Sequence, residues 1–356
     1  MLTALFDSIP NEVLAEIFLR FIPTYPTCPP LFGVSSPTTL SQVSSLWRSL
    51  AVSIPCLWRS IAISADGDRN SPPATAQLAI AHTWLHRAGT LPLSVVFHGP
   101  RNPEISYHAE ETDDYLAFND LLQHSARWEY AEVQLPVTYV RRRRRTRELL
   151  TEHMPLLRQL CVQYNAYGLT TVTAPILSRA PKLRALALEL LPTAQMQLAA
   201  RVPWSQLTHI VLDEVELADS RGILRQTRSL VSCRLRICST RAVPARDLPY
   251  TIALLSLKTL TIKASNWSWS QSPAALFWSL RIPNLEDLAI DENILRQHNV
   301  PDAAGFLREI LARWQCALQQ LHIKTCSDWP PSKTDWGTEF REVPLIRAEP
   351  YSWCLL

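Results

Sequence analysis

Three stretches carry residue types that could do chemistry. His82 and His86 are four residues apart in a helical pattern, a spacing that suits zinc. The intervening sequence, HTWLH, lacks the glutamate that a zinc protease needs as a base, so the pair reads as surface histidines. Glu110, Glu111, Asp113 and Asp114 form an acidic loop, and its ordinary reading is a solvated one. Arg141, Arg142, Arg143, Arg144 and Arg145 run together, with Arg147 just beyond. Like charges at that density repel and favour an exposed, extended chain. The run reads as a solvated loop, as a basic targeting or nucleic-acid patch, or as a contact for an acidic partner. No aromatic residue interleaves the arginines, which removes the support that base stacking would give. There is no G-x-S-x-G, P-loop or G-x-G-x-x-G. With only 8 glycines a phosphate-cradling loop has little to be built from. The chain therefore reads as no enzyme, with no cofactor and no metal site.

Cysteines fall at 28, 56, 161, 233, 238, 316, 326 and 354, without a CxxC pair, which argues against a zinc ribbon or a thioredoxin-like site. Several fill apolar slots, where a free thiol acts as a small hydrophobe. That points to a reducing compartment, cytoplasmic or nuclear. The N-terminal helix carries Asp7 and Glu12 with no basic region before it, unlike a secretory signal. No apolar run approaches the roughly 20 residues that span a bilayer, so no membrane partner is expected. Apolar residues make up 47% of the chain, enough for a core, and a net charge of +3 gives no bulk argument for nucleic acid.

The elements that would position these residues begin with two apolar helical patterns. Pro10, Val13, Leu14, Ile17, Phe18 and Phe21 form one broad stripe at helical period, with Ser8 as the expected N-cap. Leu40, Val43, Trp47, Leu50 and Ala51 share one face of a second expected helix, which Pro55 stops. Two stripes this wide cannot cover each other fully. The surplus packs either on the rest of the chain or on another protein.

The order Ile9-Pro10-x-Glu12-Val13-Leu14-x-x-Ile17-Phe18, then Leu40-x-x-Val43-Ser44-x-x-Trp47-Arg48-x-Leu50-Ala51, then Pro55-x-Leu57-Trp58, resembles an F-box, in the F-box-like form common in fungal proteins. Ile9 stands for the usual leucine and Ser44 for the usual cysteine, and the insert from Ile22 to Thr39 is long. The string WLHRAGTLPLSVVF is similar to a segment that follows the module in fungal relatives. The resemblance implies docking on the Skp-type adaptor of a cullin–RING ubiquitin ligase. The adaptor-binding residues it implies are Ile9, Pro10, Val13, Leu14, Ile17, Phe18, Val43, Trp47, Leu50, Leu57 and Trp58.

Further along, a helix is expected over Ala76–Ala88 with Gly89 at its end. Leu93, Val95 and Phe97 alternate as in a half-buried strand. A helix over Tyr115–Ser125 and a strand over Trp128–Leu135 follow. From there the form L-x-x-[LIC]-x-[LIV] recurs seven times. Its first leucines are Leu157, Leu183, Leu207, Leu230, Leu257, Leu285 and Leu318, spaced 26, 24, 23, 27, 28 and 33 residues apart. Most intervals match a leucine-rich repeat, and seven matches in a row favour that over an ordinary α/β sheet. The asparagine that usually follows the strand is missing. Helices are expected at Thr193–Val202, Ala218–Thr227, Ser272–Leu280 and Asp302–Trp314.

The expected fold is α/β: an F-box-like module of helices at residues 1–63, linking elements at 64–126, a leucine-rich-repeat-like solenoid at 127–326, and a tail or cap at 327–356. The expected role is substrate recognition in a ligase, with the adaptor and cullin scaffold as partners and an unidentified protein as target. The alternatives are a repeat scaffold without a ligase role and, more distantly, a nuclear protein that sets its arginines on nucleic acid.

Overall fold

The computed structural model describes residues 9–64, 72–99, 113–136, 153–165, 177, 179–189, 202–238, 251–265, 274–295, 302–324, 336–340, 343 and 345–347. The fold is α/β, in two compact units: Met1–Tyr167 with Arg179–Lys182, and Gly168–Ser178 with Leu183–Leu356.

The first unit opens with helix α1 (Asn11–Phe21). Its N-cap position is Pro10, whose carbonyl receives the amides of Val13 and Leu14; the expected cap, Ser8, lies outside the described residues. The single helix expected across Leu40–Ala51 is two: α2 (Pro37–Val43) and α3 (Ser45–Ser53). Ser44 splits them. Its backbone is extended, at φ −154°, and its hydroxyl accepts from the Trp47 amide at 3.2 Å. A serine offers that competing cap wherever the chain can turn, and here it outweighs one more turn of helix. Ser36 caps α2 in the same way, with Pro37 at the first helical position, where a missing N–H costs nothing.

A single 3-10 turn at Pro55–Leu57 leads into β1 (Ser60–Ser64), α4 (Ala74–Arg87), β2 (Leu93–His98), α5 (Asp113–Leu122), β3 (Trp128–Pro136) and β4 (Gln159–Asn165). Gly89 ends α4 as expected: it stands at φ +58° and gives its amide to the His86 carbonyl. The four strands pair in parallel in chain order. Their inner rungs are Ile61/Val95/Ala131/Leu160 and Ile63/Phe97/Val133/Val162, all buried. β1 runs across the expected boundary at residue 63. β3 and β4, expected among the repeats, belong to this first unit.

Aromatic side chains join helices to sheet. Trp58 meets Trp84 edge-on at 5.6 Å, and its indole N–H donates to the Ala51 carbonyl at 2.8 Å. The Trp84 indole donates to the Thr38 hydroxyl at 3.2 Å, and Phe97 lies 5.0 Å from Phe118. The long insert is docked as well. Tyr25 donates to Glu129 at 2.9 Å beneath the Arg59 guanidinium, and Ser94 donates to the Pro26 carbonyl at 2.6 Å. Burial, then Glu129, pushes the Tyr25 phenol pKa up, so it remains the donor.

In the second unit the repeats become β5 (Ala185–Glu189), β6 (His209–Glu216), β7 (Ser232–Cys238), β9 (Thr259–Ala264), β11 (Asp287–Asp291) and β12 (Gln320–Lys324), parallel and in that order. β8 (Ile252–Ala253) and β10 (Leu280–Arg281) form a separate short parallel pair. Helices α6 (Leu217–Leu224), α7 (Ala274–Ser279), α8 (Glu292–Leu295) and α9 (Ala303–Trp314) lie between strands. The Asp302 side chain caps α9 through the Gly305 amide at 2.9 Å. Three of the expected helices are thus present; Thr193–Val202 lies outside the described residues except for Val202.

The inner rungs Leu186/Ile210/Cys233/Leu260/Leu288/Leu321 and Leu188/Leu212/Leu235/Ile262/Ile290/Ile323 are uniformly buried. In place of an asparagine ladder the backbone supplies a fork. The carbonyl just before each strand accepts two amides from the next repeat: Arg184 from Thr208 and His209, Thr208 from Val231 and Ser232, Val231 from Lys258 and Thr259, Lys258 from Glu286 and Asp287, and Glu286 from Gln319 and Gln320. Each fork satisfies two amides where the chain enters the sheet, which is the accounting a buried backbone requires. The stretch expected as a tail or cap contributes α10 (Trp336–Glu339) and β13 (Leu345–Arg347), which pairs parallel with β12.

Candidate interaction faces

The helices α1–α3 divide the predicted adaptor-binding residues in two. On α1, Leu14 and Phe18 form the edge that enters the core. Pro10, Val13, Ile17 and Phe21 form the edge that leaves it, with Val13 48% and Ile17 46% exposed. Val43, Leu46 and Val52 add exposed apolar side chains from α2 and α3. Ile9, Trp47 and Leu50 are half-buried, and Trp47 packs on Phe18 at 4.8 Å. Leu57 and Trp58 are fully enclosed. Leu14, Phe18, Leu57 and Trp58, implied by the resemblance to contact an adaptor, therefore spend their apolar surface inside this chain. A helix with a stripe this wide has two edges, and here α3 and the turn at Pro55–Leu57 take one.

Phe32 and Val34 are further exposed apolar residues, in the insert. Their turn is fixed by Gly33 at φ +79°, by the Thr39 hydroxyl on the Gly33 carbonyl, and by the Ser36 hydroxyl on the Leu31 carbonyl. The sequence stripe could not foretell this, because both residues lie outside any periodic segment.

The second face is the outward side of the sheet in the second unit. Outward residues of β7 and β9 are Ser232, Arg234, Arg236, Thr259, Thr261 and Lys263. Arg236 stands in register with Lys263, and Asp291 on β11 with Lys324 on β12. Toward β5 the charge changes sign, with Glu189 in register with Asp213. A bulge in β6 after Leu212 turns Glu214 into the left-handed region at φ +56° and brings two carboxylates opposite one arginine. Arg236 Nε lies 2.9 Å from Asp213, its Nη1 lies 3.7 Å from Glu214, and Ser265 donates to Glu214. Burial raises the Asp213 pKa to about 7 against the pull of Arg236. Glu189, Asp213, Arg236, Lys263, Asp291 and Lys324 each follow the last apolar position of L-x-x-[LIC]-x-[LIV], so the signal was in the sequence; only the strand register shows that they fall into rows.

The other chemistry-bearing residues are dispersed. His82 pairs with Asp120 at 2.5 Å, and His86 is exposed. Among the described residues no three potential metal ligands come together. Asp113 and Asp114 fall in α5; Glu110, Glu111, Arg141, Arg142, Arg143, Arg144, Arg145 and Arg147 lie outside the described residues. The six described cysteines are free. Burial pushes Cys28 up to about 11 and Cys233 and Cys238 up to about 12, so these thiols stay protonated and act as apolar filler. No helix among the described residues is long and apolar enough to cross a membrane.

No protein-family model matches the chain, and no curated protein matches it either.

Proposed function

We propose that this chain is a substrate-recruiting subunit of a cullin–RING ubiquitin ligase. Its F-box-like helices bind a Skp-type adaptor, and its strand–helix repeats, a leucine-rich-repeat-like solenoid, hold a protein target. The observation that carries the reading is the outer edge of α1. Pro10, Val13, Ile17 and Phe21 stay in solvent although the inner edge of the same helix is fully enclosed. Exposed apolar patches of this kind usually mark contacts with other proteins. The work would be done by proximity: one face holds the ligase, the other the target, and ubiquitin transfer takes place on other subunits.

The test is co-purification with a Skp-type adaptor. Val13→Asp with Ile17→Asp places two charges in a desolvated contact, which costs several kcal/mol when they are unpaired. The double variant should lose the adaptor and keep its melting temperature. A second reading, a repeat scaffold whose helices are only an N-terminal cap, draws on the burial of Leu14, Phe18 and Trp58 in the chain's own core. Failure of the wild-type chain to bring down the adaptor at micromolar concentration would favour it.

A further inference from the structure

The insert between α1 and α2 is fastened at both ends. Its first half lies against the sheet, through the Tyr25 hydroxyl on Glu129 and the Ser94 hydroxyl on the Pro26 carbonyl. Its second half is a turn tied by three bonds. The Thr39 hydroxyl donates to the Gly33 carbonyl at 2.8 Å, the Ser36 amide to the same carbonyl at 3.1 Å, and the Ser36 hydroxyl to the Leu31 carbonyl at 2.9 Å. Leu31 and Ser36 are buried, and Thr38 just beyond takes the Trp84 indole N–H. Gly33 stands at φ +79° and Ser35 at φ +70°, the left-handed region, which a residue with a side chain enters at a cost. The result of this bracing is that Phe32 is left 43% exposed and Val34 84% exposed. Apolar side chains gain nothing by standing in water. They gain when a partner covers them, and a turn already fixed in shape loses little freedom in the process.

Charge restricts what that partner is. From Phe21 to Trp47 the sequence has no Asp, Glu, Lys, Arg or His, in a chain that is 19% charged. Nucleic acid and anionic membrane both need cations on the protein, and this stretch has none. Depletion of charge with exposed aromatic side chains is the composition of a protein–protein interface core. Phe21, Phe32, Val34, Val43 and Leu46 are its exposed large apolar residues. Charge returns at Arg20 and Arg48, both exposed, where a polar rim would lie. The turn leads straight into α2, whose 7 residues end at Val43 beside the start of α3. At 1.5 Å per residue that helix is about 10 Å long, so one partner of ordinary interface size can span the turn and the exposed residues of α2 and α3.

We infer that the turn carrying Phe32 and Val34 is a second anchor for the Skp-type adaptor, taken up by a neutral apolar groove of that partner. The inference deepens the adaptor half of the proposed function and rests on it.

The full chain is titrated with a purified Skp-type adaptor, and its own association state is followed by sedimentation. Phe32→Ser with Val34→Ser should weaken binding about tenfold or more, the loss expected of a large apolar anchor, with the melting temperature unchanged. Val34→Glu, at a position that folding leaves in water, should weaken binding by itself and keeps the test valid where the double variant is unstable. Wild-type affinity in both variants overturns the inference and leaves the proposed function standing. A wild-type chain that does not bind the adaptor overturns both. Self-association of the wild-type chain that the variants abolish, with adaptor affinity unchanged, also overturns the inference, since the turn would then meet a second copy of the chain.

Discussion

Trp84 in the first unit and Leu260 in the second are both fully enclosed, yet they hold different kinds of structure together. Trp84 touches Trp58 and reaches the Thr38 hydroxyl, so it ties together a helix, a turn and an insert that are far apart in sequence. Leu260 lies in a rung between Cys233 and Leu288, each supplied by the adjacent repeat. The first core is built from unlike pieces that meet once. The second repeats one contact from strand to strand. Damage to the first should therefore remove several long-range contacts together, while damage to the second should remove one rung of many.

The comparison can be broken at its strongest point first. Leu14→Asp would bury a charge beside Phe18, and Trp84→Ala would remove a large aromatic together with its hydrogen bond. Truncations of that type cost about 3–5 kcal/mol, and the buried aspartate should be at least as severe. Leu14→Asp is thus a folding variant, and loss of adaptor binding in it would say nothing about the contact. Both variants should lose amide-exchange protection first in β1 to β4. Protection lost equally in β5 to β12 would mean that the two cores melt as one.

Next comes Leu260→Ala, with an expected cost of about 2–5 kcal/mol. Exchange should quicken in β7, β9 and β11, the strands of that rung, before it does in β1 to β4. If it quickens first in the first unit, the picture of independent rungs fails.

The same contrast explains what could be read in the sequence. The second unit was legible because each strand needs leucine or isoleucine at alternate positions, and the need recurs at every repeat. Leu186, Leu188, Leu260, Ile262, Leu288 and Ile290 are buried as that pattern requires. The backbone fork was not legible, because it uses amides and carbonyls that every residue type carries. In the first unit the period was visible and its use was not. The stripe of α1 marks six apolar positions with nothing to say that Leu14 and Phe18 face inward while Val13 and Ile17 face out. The break at Ser44 depends on whether the chain turns there. The docking of the insert depends on Tyr25 meeting Glu129, 104 residues away. Contacts of that range leave no local trace.

The smallest effect expected is also the most specific to the second unit. Asp213 has its pKa raised from 3.8 to about 7, chiefly by burial; Arg236 on β7 opposes the shift, and Glu189 on β5 and Glu214 beside it add to it. An acid whose folded pKa lies above its unfolded one binds extra protons in the folded state between the two values. The stability it contributes is present at low pH and is lost as pH rises through about 7. Between about pH 6 and pH 8 the loss should be on the order of 1 kcal/mol, one pKa unit's worth. The ion pair with Arg236 survives at the higher pH, but the Asp213 carboxylate is buried while Arg236 stays partly in water, so the pair does not repay the burial of the charge. Asp213→Asn keeps the size of the side chain and removes the titration. Urea midpoints measured across that range should fall with pH in the wild-type chain and fall less in the variant, whatever the variant's absolute stability. Equal slopes would mean that Asp213 stays ionised throughout and that Arg236, rather than burial, sets its charge.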